Sequence, residues 1–256
     1  MTQQEMNILV PEKLREIENE YNVKVLLAVE SGSRAWGFAS PDSDFDVRFI
    51  YKRPRNEYLK LNQPRDVIEI PVDDIWDVNG WDLDKTLRLL YKSNPTLYEW
   101  LNSPICYCRT DFCDKITPLM NEYFSVKNTM YHYLNTAKSN MKNYLLGEVV
   151  KPKKYFYALR PLLACHWVME NKTPPPVLFD TLAEAMLPDS LRPAVDYLLD
   201  IKLNSPEKAE IKPVSDIDIF LKEGIARFDE LMKNLPQENC NSWDMMNEFF
   251  ISETED

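Results

Sequence analysis

Leu14, Ile17 and Tyr21 recur at helical spacing, and Pro11, whose fixed φ suits a first turn, marks the expected start of a helix over 11–21. Val23 to Val29 then forms a β-rich apolar run, the pattern of a buried strand. It runs directly into Ser31-Gly32-Ser33-Arg34-Ala35-Trp36-Gly37-Phe38. Beyond the polar turn Ser40-Pro41-Asp42-Ser43, residues 44–50 alternate as a strand, and shorter strand patterns follow at 66–72 and 75–78. From Leu83 the period changes: Leu83, Leu87 and Leu90 lie at i, i+4 and i+7. Asn94-Pro95 reads as an N-cap and first turn, and Val126 to Tyr144 carries a long apolar face. Tyr155 to Met169 continues helical, with Pro161 expected to kink or restart it, and Ser215 with Asp218 reads as a capping box opening a last long helix. The fold class expected is α+β: a strand-bearing domain over 1–83, an all-helical domain over 84–236, and an acidic C-terminal tail over 237–256.

Composition narrows the setting. The 256 residues are 45% hydrophobic, enough for substantial cores, and no stretch approaches the roughly 20 apolar residues of a membrane helix. Met1 to Val10 lacks the pattern of a secretory signal, and five cysteines form an odd number, so reduced thiols in a cytoplasmic protein are expected, with no membrane partner. A net charge of −11 argues against coating nucleic acid through long-range charge, although it leaves room for a local site.

Asp44 and Asp46 lie two apart on an expected strand and so share a face. Carboxylates that close repel unless a cation lies between them, and magnesium, which prefers hard oxygen ligands, is the natural occupant. Upstream, Gly32-Ser33 follows a strand and opens an expected helix, placing backbone N–H groups and the Ser33 hydroxyl where phosphate oxygens bind. Phosphate cradle and carboxylate pair together specify a nucleoside triphosphate with its magnesium better than either does alone. Arg34 offers a guanidinium fork to phosphate, and Arg48 shares the Asp44/Asp46 face, where it either binds phosphate or pairs with the carboxylates. Lys151, Lys153 and Lys154 form the densest basic run. Lys154 is the candidate phosphate partner among them; a solvated helix start is the alternative. Arg160, among apolar residues, calls for a buried partner, and His132 and His166 read as satisfied helix residues.

Gly32-Ser33 followed by Asp44-Phe45-Asp46 resembles the signature of the DNA polymerase beta nucleotidyltransferase superfamily. Residues 32–38 and 40–51, with Asn79-Gly80-Trp81-Asp82-Leu83, Ser93-Asn94-Pro95 and Leu159-Arg160-Pro161, are similar to its RNA-ligase-associated (RlaP or YcgL-type) predicted nucleotidyltransferases. The resemblance covers roughly residues 23 to 170. It implies a small mixed-sheet nucleotidyltransferase domain with a helical domain behind it, and two magnesium ions. A nucleoside monophosphate would pass from a nucleoside triphosphate to a hydroxyl on RNA, DNA, a protein or a small molecule. Asp44 and Asp46 would hold metal, and a third carboxylate would complete the centre. Asp77 in Trp76-Asp77-Val78 suits that role best, with Glu69 in Ile68-Glu69-Ile70 in reserve. A non-catalytic, antitoxin-like binding module of the same fold is the rival reading.

Overall fold

The computed structural model describes residues 2–40, 43–71, 76–204, 209–236 and 242–255. Within these the order is α1 (Gln3–Tyr21), β1 (Lys24–Glu30), α2 (Gly32–Ala35), β2 (Phe45–Lys52), α3 (Arg55–Tyr58), β3 (Val67–Glu69), β4 (Trp76–Asp82), α4 (Leu83–Tyr91), α5 (Pro95–Leu101), β5 (Cys106–Arg109), α6 (Phe112–Glu122), α7 (Val126–Tyr144), α8 (Pro152–Asn171), α9 (Phe179–Met186), a 3-10 turn (Asp189–Leu191), α10 (Arg192–Asn204), α11 (Ser215–Asn234) and α12 (Asp244–Thr254). Two compact units emerge: residues 1–35, 44–123 and 240–256 form one, and 36–43 with 124–239 the other.

The first unit is built on a mixed five-stranded sheet, ordered β3-β4-β2-β1-β5. β2 and β4 run parallel, with Asp46 opposite Asp77, while the other pairs are antiparallel. Alternation in β2 sends Phe45, Val47, Phe49 and Tyr51 into a core with Met6, Val10, Leu14 and Ile17 of α1. Asp46 and Arg48 therefore face the other way. α1 begins earlier than the pattern predicted, because Thr2 and Glu5 form a reciprocal capping box and Pro11 is carried inside the helix. The strand patterns at 66–72 and 75–78 become β3 and β4, with residues 72–75 outside the described set.

The boundary differs from the one expected near residue 83. β5 pairs with β1, α4 and α5 lie within the sheet unit, and α12, from the expected tail, belongs to it as well. Trp243 stacks on Tyr91 with centroids 3.7 Å apart, the Tyr123 hydroxyl donates to Ser242 O, and Lys115 reaches the buried Glu253 carboxylate. Leu87 and Leu90, read as the first helix of the second domain, are instead buried within the first unit. Gly80 lies within β4, where a Cβ would meet the Phe49 ring at 2.2 Å.

The second unit is helical around Leu159, Leu162 and Leu163 of α8, which α7, α9, α10 and α11 surround. Trp36 and Phe38, from the segment after α2, also pack in this core. α8 continues through Pro161 without restarting. Ser215 is already helical and makes no cap, and Asp218 instead accepts a hydrogen bond from the Tyr155 hydroxyl. Arg160 is buried with its guanidinium over the Trp36 ring, and it donates to Val177 O. His166 differs from the satisfied residue expected: its Nε2 has no hydrogen-bond partner, and the ring lies against Phe220 and Phe228.

Candidate active site

β1 ends at Glu30, and the chain turns at Gly32, whose φ of +61° is the left-handed region that glycine enters without strain. An ideal Cβ on Gly32 would sit 2.2 Å from Asp46 Oδ2, so only glycine lets the carboxylate lie against this turn. The cradle expected at Gly32-Ser33 is thus a single helical turn, α2, set directly beside Asp46, with Ser33 buried. Gly37, with φ +87°, follows that turn.

The parallel register carries Asp77 of β4 to the side of Asp46. Arg48 Nη2 donates to Asp46 Oδ1 at 3.0 Å and to Asp77 Oδ2 at 2.7 Å, and Nη1 donates to Asp77 O at 2.8 Å. Of the two roles open to Arg48 in the sequence, pairing with the carboxylates is the one seen. Asp44 is exposed just outside β2, and its carbonyl accepts from Arg34 Nε at 3.1 Å. The Arg34 guanidinium lies 3.6 Å over the Phe45 ring. Burial pushes the Asp46 carboxyl above its ordinary value; Arg48 opposes this, and Asp77 and Asp44 add to it. Asp44, Asp46, Asp77, Arg34, Gly32 and Ser33 therefore share one region. Glu69 does not: on the edge strand β3 it pairs opposite Asn79 and takes a salt bridge from Arg65. Lys154 belongs to the helical unit, with its ammonium 3.8 Å over the Tyr144 ring.

Two hard oxygens, Asp46 Oδ1 and Asp77 Oδ2, already converge on one positively charged nitrogen. That donor pair fits a divalent cation, provided the guanidinium gives way. Among the described residues, no group of three His, Cys, Asp or Glu side chains is arranged to hold a metal. Cys106 and Cys108 lie on β5 and Cys113 is buried in α6; all three are free thiols, as is Cys165.

Two residues of this region went unnoticed in the sequence. Glu30 is fully buried; one carboxylate oxygen accepts the Asp46 N–H at 2.7 Å and the other the Tyr107 hydroxyl at 2.5 Å. Burial pushes its carboxyl up to about 7, against the pull of those two hydrogen bonds. The available signal was a lone carboxylate closing an otherwise apolar strand.

The sequence matches, over residues 6–252, the family described as RNA repair pathway DNA polymerase beta family. The chain belongs to that family. It is also 42% identical over 247 residues to the uncharacterized protein YcgL of Bacillus subtilis (strain 168), covering 96% of this chain and 95% of that one. Membership of the polymerase beta family makes this a nucleotidyltransferase-type chain, in keeping with its mixed sheet and helical second part. Two solved structures align more loosely. A nucleotidyltransferase-like protein from Exiguobacterium sibiricum 255-15 has a TM-score of 0.32 and 15% identity, over 86% of this chain and 73% of that one. The spectinomycin adenyltransferase AAD(9) from Enterococcus faecialis, solved with ATP and spectinomycin, has a TM-score of 0.45 and 12% identity, over 85% and 97%. No helix among the described residues is long and apolar enough to cross a membrane.

Proposed function

We propose that the protein is a magnesium-dependent nucleotidyltransferase that moves a nucleoside monophosphate from a nucleoside triphosphate to a hydroxyl acceptor. The observation that carries this reading is the convergence of Asp46 and Asp77 on a single cationic point, with the Gly32 turn against Asp46. In this reading Asp44 and Asp46 hold magnesium and Asp77 completes the set, with two ions engaged during transfer. Magnesium held by these carboxylates would lower the pKa of the acceptor hydroxyl and would stabilise charge on the leaving pyrophosphate. The chain's own part is positioning: the Gly32-Ser33 turn receives phosphate oxygens, Arg34 offers its guanidinium, and Lys154 is a further phosphate partner on its chemistry. The family description supports an RNA end as the first acceptor to try, ahead of DNA, protein or small molecules.

A second reading, a nucleotide-binding module that performs no transfer, draws support from Arg48 standing where a cation would sit and from the absence of a three-carboxylate group among the described residues. Incubating the protein with each α-labelled triphosphate, magnesium, and RNA, DNA or cell extract separates the two. Label on any acceptor supports the enzyme. Magnesium-dependent triphosphate binding without label transfer supports the module.

A further inference from the structure

Asp46 is held at three points, and two of them come from the dipeptide before Gly32. Its carbonyl accepts the Ser31 N–H at 2.9 Å, and its N–H donates to Glu30 Oε1 at 2.7 Å. Its carboxylate is then held by Arg48 and by the close approach of the Gly32 backbone. An ordinary antiparallel ladder satisfies a strand N–H with a neighbouring carbonyl. Here a side chain does so, and that side chain is a fully buried carboxylate, an expensive choice unless every oxygen is satisfied.

Both oxygens are indeed satisfied, and the partners form a chain. The Tyr107 hydroxyl of β5 donates to Glu30 Oε2 at 2.5 Å, Gln3 Nε2 of α1 donates to that hydroxyl at 3.1 Å, and the same Gln3 amide donates to Asn7 Oδ1 at 3.0 Å. The Glu30 backbone is fixed as well: its N–H donates to Ile105 O at 3.0 Å, and its carbonyl accepts from Ser103 Oγ at 2.6 Å. Everything that could let Glu30 drift is tied to β5, the loop before it or α1.

We propose that Glu30 is the positioning residue for Asp46: braced by Tyr107 and Gln3, it anchors the Asp46 peptide and so sets where the metal-binding carboxylate stands relative to Asp77 and the Gly32 turn. The inference rests on the nucleotidyltransferase reading above, because it concerns a divalent cation at Asp46. Groups that orient metal ligands typically govern affinity by about 10–100-fold. The role is geometric: a neutral side chain of the same shape that still presents an oxygen to the Asp46 N–H preserves it.

The test is a manganese titration followed by the EPR signal of free Mn2+, on wild-type protein and on Glu30→Ala, Glu30→Gln, Tyr107→Phe and Asp46→Asn, each checked for folding by circular dichroism. The expected result is Mn2+ binding by the wild type that Asp46→Asn abolishes, a loss of at least about tenfold in Glu30→Ala, and recovery to within about threefold in Glu30→Gln. Should Glu30→Ala not fold, Tyr107→Phe, which keeps the Asp46 anchor but removes its brace, is expected to weaken binding by about threefold to tenfold. A folded Glu30→Ala with wild-type affinity overturns the proposal, as does a Glu30→Gln no better than Glu30→Ala. So does an unchanged Tyr107→Phe where Glu30→Ala does not fold. In each of these the Asp46-dependent binding of the wild type leaves the nucleotidyltransferase reading standing. Wild-type protein that binds no Mn2+ overturns both.

Discussion

Replacing Gly32 by alanine separates backbone strain from damage to the site. The residue sits at φ +61°, where an L-residue is disfavoured by about 1–2 kcal/mol. For a protein of this size that strain corresponds to a fall of about 2–8 °C in the melting temperature of the sheet unit. The added methyl must also displace a carboxylate, since its Cβ would lie 2.2 Å from Asp46 Oδ2 and 3.1 Å from Cγ. Relief by moving Asp46 by about 1 Å is the kind of misplacement that lowers activity by about 100-fold. Gly37→Ala is the matched control. Its φ is +87°, so it carries comparable strain, but its Cβ meets only Leu178 Cδ2 at 3.3 Å. Differential scanning calorimetry with Mn2+ titration of both variants reads the two effects apart. Both should melt earlier, and only Gly32→Ala should lose Mn2+ affinity and label transfer. A Gly32→Ala protein that binds Mn2+ as the wild type does would show that the turn and the Asp46 carboxylate are not coupled as described.

Other outcomes follow from the same contacts. Arg48→Leu leaves Asp46 and Asp77 facing each other without a cation, so urea unfolding in EDTA should show a loss of about 1–2 kcal/mol that magnesium largely restores; equal losses in both buffers would count against a cation site there. Gly80→Ala drives a methyl into the Phe49 ring and should destabilise the protein by about 1–3 kcal/mol in urea unfolding. His166 is held below its ordinary value of 6.5 by burial and by Arg227. The unfolded chain therefore takes up a proton before the folded one does, and stability falls as pH drops below about 6.5. Comparing urea midpoints at pH 7.5 and 5.5, His166→Leu should lose less than the wild type over that interval. Trp243→Ala removes the stack on Tyr91 and should lower the melting temperature, with a loss of about 1–2 kcal/mol.

Much of the site was legible because it is local. Gly32-Ser33 and Asp44-Phe45-Asp46 lie within a short stretch, and strand parity alone puts Asp46 and Arg48 on one face. Asp77 was reached through its apolar-acid-apolar setting, but only the parallel β2–β4 register places it opposite Asp46 and sends Glu69 out to the edge strand. Glu30 and Tyr107 were hidden for the same reason: they are 77 residues apart, and their contact exists only once β5 has added to the sheet. The unit boundary was misplaced because a helical period shows that a helix forms and not which core it covers. α4 is as strongly amphipathic as any helix of the second unit and α12 is only weakly so, yet both belong to the sheet unit. Pro11 was read as a helix start and Pro161 as a kink or restart, whereas a strong cap at Thr2 and the buried face of α8 carry both helices through their prolines.

The central claim is that Asp46 and Asp77 form the metal-dependent centre of a nucleotidyl transfer. Its most direct test is transfer of an α-labelled nucleotide in magnesium by wild-type protein, Asp46→Asn and Asp77→Asn, across RNA, DNA and protein acceptors. Label is expected on one acceptor class with the wild type and none with either variant. Transfer that survives either substitution, or a folded wild type that labels nothing, would contradict it.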